Sequence, residues 1–198
     1  MKIIMAHNFY QITGGEDICF TAESDLLESH GQTVVRYTRN NAEIRNYNLW
    51  QKINLGINTI WSKRSFRDVE VLLQNEKPDI FHFQNIFPLI SPSVFYACKN
   101  RNISVVLTLH NYRMMCLNGL FLREKRICED CLKKAFAWPG IIYACYRCSH
   151  LQSAAVALMN TYHRIRKTWL ECVDTFICLS EFSKRKYIQA GLPEEKIR

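Results

Sequence analysis

Glycine and proline are scarce in this sequence, seven and five among 198 residues. That excludes collagen-like and linker-like chains. No apolar run approaches the roughly 18–20 residues that a helix needs to cross a bilayer. There is no low-complexity tract and no repeat of solenoid length. The full Gly-x-Gly-x-x-Gly fingerprint of a dinucleotide binder is missing, and so is a P-loop. No Ser-His-Asp order and no paired-carboxylate site is recognisable. Neither a helix-turn-helix signature nor a basic motif interleaved with aromatics is present, so nucleic acid is not an expected partner. Residues 1–10 are apolar but lack a charged leader followed by a long apolar segment. They read as a buried first strand rather than a signal peptide, and the expected location is the cytoplasm.

What is present is an ordinary globular composition, 48% hydrophobic and 22% charged, enough for a real core. The net charge is +8 and the pI about 9.1. Such a balance favours anionic partners, among them nucleotide phosphates and anionic lipid head groups; a solvated basic surface is the plainer account. Nine cysteines are many for a reducing compartment, and five fall between Cys116 and Cys148. A cluster of this kind points to metal or to packing before disulfides.

Short β-rich runs alternate with longer helical patterns. Strands are expected at Lys2–Ala6, Thr33–Tyr37, Asp79–Phe83, Ser104–Leu109 and Asp174–Leu179. Helices are expected at Glu16–Ser29, over Asn46–Gln74 with a break near Gly56 or Ser62, and at Pro92–Asn100, Leu151–Glu171 and Phe182–Ala190. In the first helix Ile18, Ala22, Leu26 and Ser29 share one side, flanked by Phe20 and Leu27. Gly31 and Gly191 are placed to end helices, and Ser180 to cap one. Near-continuous apolar strands separated by helices define an α/β chain with a doubly wound, Rossmann-like parallel sheet. A Cys-rich insertion over about 111–150 interrupts the rhythm. In such sheets ligands bind beyond the carboxyl ends of the strands. Weight therefore falls on His7–Gly15, Thr38–Asn40, Gln84–Pro88, His110–Tyr112 and Ser180–Glu181.

Gly14 and Gly15 precede a helix, where backbone amides suit phosphate; a plain turn is the equal alternative. His110 stands at the mouth of the clearest strand. There it can contact a sugar hydroxyl or move a proton, or simply bond a loop carbonyl. His82 lies within a strand and reads as structural, and His7 is the weaker candidate. Asp17 and Glu23 read as solvated acids of a helix's first turns. Cys128-x-x-Cys131 and Cys145-x-x-Cys148, with Cys116 upstream, have a spacing compatible with a structural zinc site or with free thiols.

The opening MKIIMAHNFYQITGGEDICFTAESDLLESHGQTVVRYTR resembles that of retaining glycosyltransferases of family 4, which have the two-lobed GT-B fold. PDIFHFQNIFPLISPSVFYACKNRNISVVLTLHNYRMMCLNG, CEDCL, WPGIIYACYR and TFICLSEFSKRKYIQAGLPEEKIR carry the likeness through nearly the whole chain. The resemblance implies the N-terminal, acceptor-side half of such an enzyme, with residues 1–198 as one domain and the C-terminal donor-binding domain absent. It implies transfer of a sugar from a nucleotide-sugar donor to a saccharide or lipid-linked acceptor, without need of a metal or other cofactor for catalysis. The basic charge adds peripheral docking at an anionic inner membrane face to these expectations. Carried over by position, His110 is the catalytic residue, and Gly14, Gly15, Glu16, Asn111, Ser180 and Glu181 bind substrate. Cys116, Cys128, Cys131 and Cys145 become the structural metal or disulfide set, in preference to Cys148. A chain lacking the donor lobe is expected to be inactive alone, because positioning is the main lever of this chemistry. The alternative reading is a non-catalytic acceptor- or membrane-binding module.

Overall fold

The protein is described from a computed structural model that covers all 198 residues. Its chain runs β1 (Lys2–Phe9), α1 (Gly15–Ser29), β2 (Thr33–Asn40), α2 (Leu49–Ile60), α3 (Lys63–Glu76) and β3 (Ile80–Asn85), with a 3-10 turn at Asn41–Asn46 before α2. It continues through α4 (Ser93–Asn100), β4 (Ser104–Leu109), the two-residue strands β5 (Leu122–Arg123) and β6 (Arg126–Ile127), and α5 (Trp138–Ile142). The last elements are α6 (His150–Ile165), α7 (Thr168–Cys172), β7 (Thr175–Cys178) and α8 (Glu181–Gln189).

Five strands form one sheet in the order β2-β1-β3-β4-β7, and every pairing in it is parallel. The chain moves outward from β1 to β2, then returns to the other side of β1 with β3. The direction of winding therefore reverses between β1 and β3, where open sheets of this kind part to make a crevice.

Side-chain alternation sorts the two faces. Ile4, Ala6, Phe81, Phe83, Val105 and Leu107 belong to the main core with Val69 and Leu73 of α3, Val94 and Phe95 of α4, and Trp169 of α7. Phe81 and Phe83 stack at 4.2 Å, and Phe83 meets Phe95 edge-on at 4.8 Å. The opposite face is smaller and carries polar groups. Ile3 and Met5 pack on Phe20 of α1, and the His7 ring stacks on Phe20 at 4.8 Å.

Two expectations need correction. Ile18 and Leu26 of α1 are exposed, 63% and 57%; the buried stripe is Asp17, Phe20 and Ser24. A helix can turn its polar side inward when the sheet beneath offers partners. Here Asp17 accepts from His7 of β1, and Ser24 meets Met5 Sδ of β1 at 3.3 Å while donating within its own helix to the Phe20 carbonyl at 2.7 Å. The second correction concerns Leu151–Glu171, which is two helices. Lys167, in the left-handed region at φ 51°, separates α6 from α7. The break expected near Gly56 or Ser62 falls at Ser62, whose hydroxyl caps α3 by accepting from the Ser65 amide. Gly31 and Gly191 hold φ of +76° and +100° just past their helices, the conformation that favours glycine there.

Candidate functional site

The polar residues of the α1 face line up across β1, β3 and β4 and meet the start of α1. His7 is fully buried, and its Nε2 donates to Asp17 Oδ1 at 2.7 Å. Asp17 also accepts from the Tyr10 amide at 3.3 Å and the Gly14 amide at 2.9 Å. This buried carboxylate folds the loop from Tyr10 to Gly14 back onto the helix, so Asp17 is not the solvated acid that its place in the sequence suggests.

Glu23, one turn and a half further on, is half-buried and accepts from the Gln84 side-chain amide. Burial raises its carboxyl pKa. It too departs from the solvated reading. The other end of Gln84 faces His110 Nε2. A carboxylate only accepts, so an ionised Glu23 fixes the amide with its nitrogen inward and its oxygen toward His110. His110 then carries its proton on Nε2 and keeps Nδ1 as an acceptor. Burial is the largest cause of a lowered His110 pKa; Glu16 opposes it and His7 adds to it. At neutral pH the ring is therefore uncharged. His82, read from the sequence as structural, meets Thr108 Oγ1 at 2.7 Å, lies 3.4 Å from Glu23 Oε1, and burial lowers its pKa to about 4.

Glu16 joins the loop after β4 to the loop after β1. Its Oε1 accepts from Asn111 Nδ2 at 2.9 Å, and its Oε2 from the Tyr10 hydroxyl at 2.8 Å. Burial, reinforced by the Glu16 charge, pushes the Tyr10 phenol up to about 12. Asn111 in turn accepts from the Arg113 amide at 3.0 Å. Gly14, Gly15, Glu16, His110 and Asn111 are thus brought to one rim. Neither glycine has a positive φ, and nothing lies within 4 Å of where a Cβ on Gly15 would stand. The turn itself does not demand glycine here; the residue leaves open space in front of the helix start.

His110 and Asn111 also border a cavity beneath the rim, together with Gln84, Asn85, Thr108 and Arg113. Arg113 was not among the residues expected. Its guanidinium lies over the Phe87 ring at 4.7 Å, and its Nε is buried without a hydrogen-bond partner. In the sequence it is one more basic residue in an insertion; only the fold shows it half-buried on the wall of the cavity that His110 also lines. Ser180 and Glu181 are not brought into this group. Both are exposed. Ser180 accepts from the Ser183 amide at 3.2 Å as the cap of α8, and neither lines the cavity.

Cys116, Cys128, Cys131 and Cys145 line one small cavity with Gly140 and Leu117. Cys148 is apart and exposed. All nine cysteines are free thiols. Burial raises the Cys131 thiol to about 11 and moves Cys145 in the same direction. No group of three or more His, Cys, Asp or Glu side chains is arranged to hold a metal ion. The donor chemistry of the four thiols that line this cavity suits zinc.

A parallel α/β domain with a polar crevice at its strand ends is the fold that comparison with solved structures returns. The chain aligns over its full length with UDP-N-acetylglucosamine 2-epimerase from Rickettsia bellii, at a TM-score of 0.50 and 17% identity, covering 43% of that chain. UDP-GlcNAc 2-epimerase from Neisseria meningitidis bound to UDP-GlcNAc gives 0.51 and 11% over 45% of its length. The S. aureus MnaA–UDP co-structure gives 0.50 and 13% over 43%. The likeness is one of fold, Rossmann-like and of the GT-B type, and the chain spans less than half the length of these structures. No curated protein matches it in sequence. The profile of glycosyltransferase family 4 matches residues 27–198, and the chain belongs to that family. The match includes His110, Asn111, Arg113 and the cysteine insertion; Gly14, Gly15 and Glu16 lie before it.

Proposed function

We propose that this domain is the acceptor-side half of a retaining glycosyltransferase, which moves a sugar from a nucleotide-sugar donor to a saccharide or lipid-linked acceptor. The observation that carries the reading is the rim itself. Glu16, Asn111 and a neutral, tautomer-fixed His110 converge at the carboxyl ends of parallel strands in a chain of this family. The bound UDP-GlcNAc of the Neisseria neighbour supports a nucleotide sugar as the donor class.

In this reading His110 Nδ1 accepts a hydrogen bond from a substrate hydroxyl, while Gln84 and Glu23 hold the ring. Neutrality matters, because an imidazolium has no acceptor to offer. The open start of α1 at Gly15 receives anionic or hydroxyl groups of substrate. Arg113, whose buried Nε lacks a partner, supplies positive charge at the cavity wall. The cysteines serve the insertion structurally and take no part in the transfer. Turnover requires a second, donor-binding lobe, because orientation of two substrates is most of what such an enzyme supplies.

The test is transfer of radiolabelled sugar from a panel of nucleotide sugars to membrane-extracted and saccharide acceptors. The chain is assayed alone and joined to a donor-binding lobe. Transfer only in the joined form, with His110→Ala reducing it by about 100-fold, supports the proposal. Clear turnover by residues 1–198 alone refutes the two-lobe requirement. Unchanged transfer in His110→Ala refutes the role of His110.

A further inference from the structure

The acidic residues are distributed unevenly. Two stretches, residues 44–67 and 131–170, contain eleven of the 26 lysines and arginines and none of the 18 aspartates and glutamates. They are far apart in sequence and adjacent in the fold. Helix α2 from the first packs on α6 from the second, so closely that a Cβ on Gly56 would lie 3.8 Å from the Cβ of Ala155. The His163 ring of α6 bonds the last carbonyl of α2, at Ile60, at 2.7 Å, and α5 packs against α6 in turn.

Helical spacing then places an exposed apolar stripe on each helix beside that seam. On α2 it is Trp50, Ile53 and Ile57, exposed by 75%, 41% and 60%; on α6 it is Leu151, Leu158 and Ile165, by 74%, 51% and 75%. Trp138 and Ile142 add one turn of α5, 50% and 58% exposed. A soluble domain seldom leaves so many large apolar side chains together in water. Cations stand among them. Lys52 and Arg147 are exposed on the same elements and their approaches. Lys134 sits 5.4 Å from the Trp138 ring and Arg123 3.8 Å from the Tyr143 ring. The nearby acid Asp130 is held by Arg123 at 2.9 Å.

No helix is long and apolar enough to cross a membrane. Apolar stripes with interspersed cations and no anions fit a helix pair lying in the plane of a bilayer surface. We propose that the α2–α5–α6 surface docks this protein on an anionic lipid bilayer. Trp50, Ile53, Ile57 and Leu158 enter the head-group region, and Lys52, Lys134 and Arg147 meet lipid phosphates. A second protein surface of the usual kind would pair some of these cations with its own acids; here the complement is a uniformly negative sheet. The proposal is independent of the sugar-transfer reading, since it requires only a lipid surface.

Flotation with phosphatidylcholine vesicles, with and without phosphatidylglycerol, tests it without any transfer assay. The expected result is partitioning onto the anionic vesicles that falls steeply with added salt, and little onto phosphatidylcholine alone. Trp50→Ala should weaken it by at least about tenfold, and Lys52→Ala by roughly fivefold. Arg36→Ala removes the same charge from a β2 residue paired with Glu28 at 2.7 Å and should leave partitioning unchanged; circular dichroism controls the fold of each variant. Equal binding to both vesicle types, equal loss in Arg36→Ala, or no binding at all would overturn the proposal. Absence of vesicle binding together with self-association that Trp50→Ala abolishes would assign the surface to a second copy of the chain.

Discussion

Glu16 and Asn111 stand 95 residues apart in the chain and are joined by a hydrogen bond of 2.9 Å. The bond ties the start of α1 to the loop that carries His110, across the carboxyl ends of β1, β3 and β4. A second tie reaches the same residue from α8, where Tyr187 donates its hydroxyl to the Asn111 carbonyl. The rim is therefore held by backbone and side chain of the same residue. Glu16→Gln keeps the shape of the carboxylate and removes its charge. The expected stability change is below about 1 kcal/mol, since a half-exposed hydrogen bond contributes little net. Substrate affinity should fall about tenfold or more if the rim binds substrate. Calorimetric titration of acceptor against both proteins, beside a denaturant melt, separates the two effects.

The ionisation of His110 gives a second prediction. Its pKa is lowered, chiefly by burial, so the ring should titrate below the ordinary histidine value of about 6.5. Gln84→Glu would place a carboxylate against Nε2 and favour the charged ring, and the midpoint should rise. Ring-proton NMR of the two proteins across pH reads this directly. A midpoint unchanged between them would show that Gln84 does not govern the histidine.

Acid should destabilise the fold through other histidines. Burial is the largest cause that holds His82 and His163 near 4, while unfolded they titrate near 6.5. Between those values the unfolded chain binds more protons than the folded one. Stability is therefore full above about pH 6.5 and is lost as pH falls toward 4. Each contributes on the order of 1–3 kcal/mol across the window. Urea unfolding at stepped pH should show the slope, and His82→Asn should flatten it. A pH-independent midpoint over this range would contradict the burial of both rings.

The order of strands and helices was legible because it rests on local rules. Apolar runs gave all five strands of the sheet, and Ser180, Gly31 and Gly191 gave helix ends that the backbone confirms. The α1 face was not legible. Its buried stripe includes Asp17 and Ser24, and a hydropathy pattern cannot know that His7 and Met5 of β1 await them. The alternation in β3, where His82 and Gln84 alternate with the buried Phe81 and Phe83, was the available signal of a polar lane under that helix. Arg113 was hidden for a different reason. Its guanidinium is placed by the rings of Phe87 and Tyr146, which the chain brings from distant segments, and no spacing rule links them.

Thiol reactivity bears on the cysteine cavity. Cys19 and Cys148 are exposed, whereas burial raises Cys131 and Cys145. The thiolate is the reactive form. Iodoacetamide under native conditions should therefore modify Cys19 and Cys148 first, and Cys131 and Cys145 more slowly by about tenfold or more. Peptide mapping over time checks the order. If zinc occupied the cavity, a chelator would speed Cys131, Cys145, Cys116 and Cys128 together; a free-thiol cavity predicts no response to chelator.

Gly140 supplies the last prediction, on packing around that cavity. A Cβ at this position would lie 2.6 Å from Leu117 Cδ1 and 2.8 Å from its Cγ. Real contacts are never so close, so Leu117 would have to move. Its freedom is limited: its side chain is 1% exposed, packs with Phe87, Val156 and Met159, and borders only the small cysteine cavity. Gly140→Ala should therefore destabilise the domain by about 1–3 kcal/mol, the usual effect of overpacking. The ordinary gain from replacing a helical glycine would act in the opposite direction, by less than about 1 kcal/mol. Leu117→Ala in the same chain makes room for the new methyl group. The double variant should then be less destabilised than the sum of the two single changes, because the clash disappears with the side chain. Denaturant melts of the three proteins form the cycle. Strict additivity would mean that Gly140 and Leu117 do not touch.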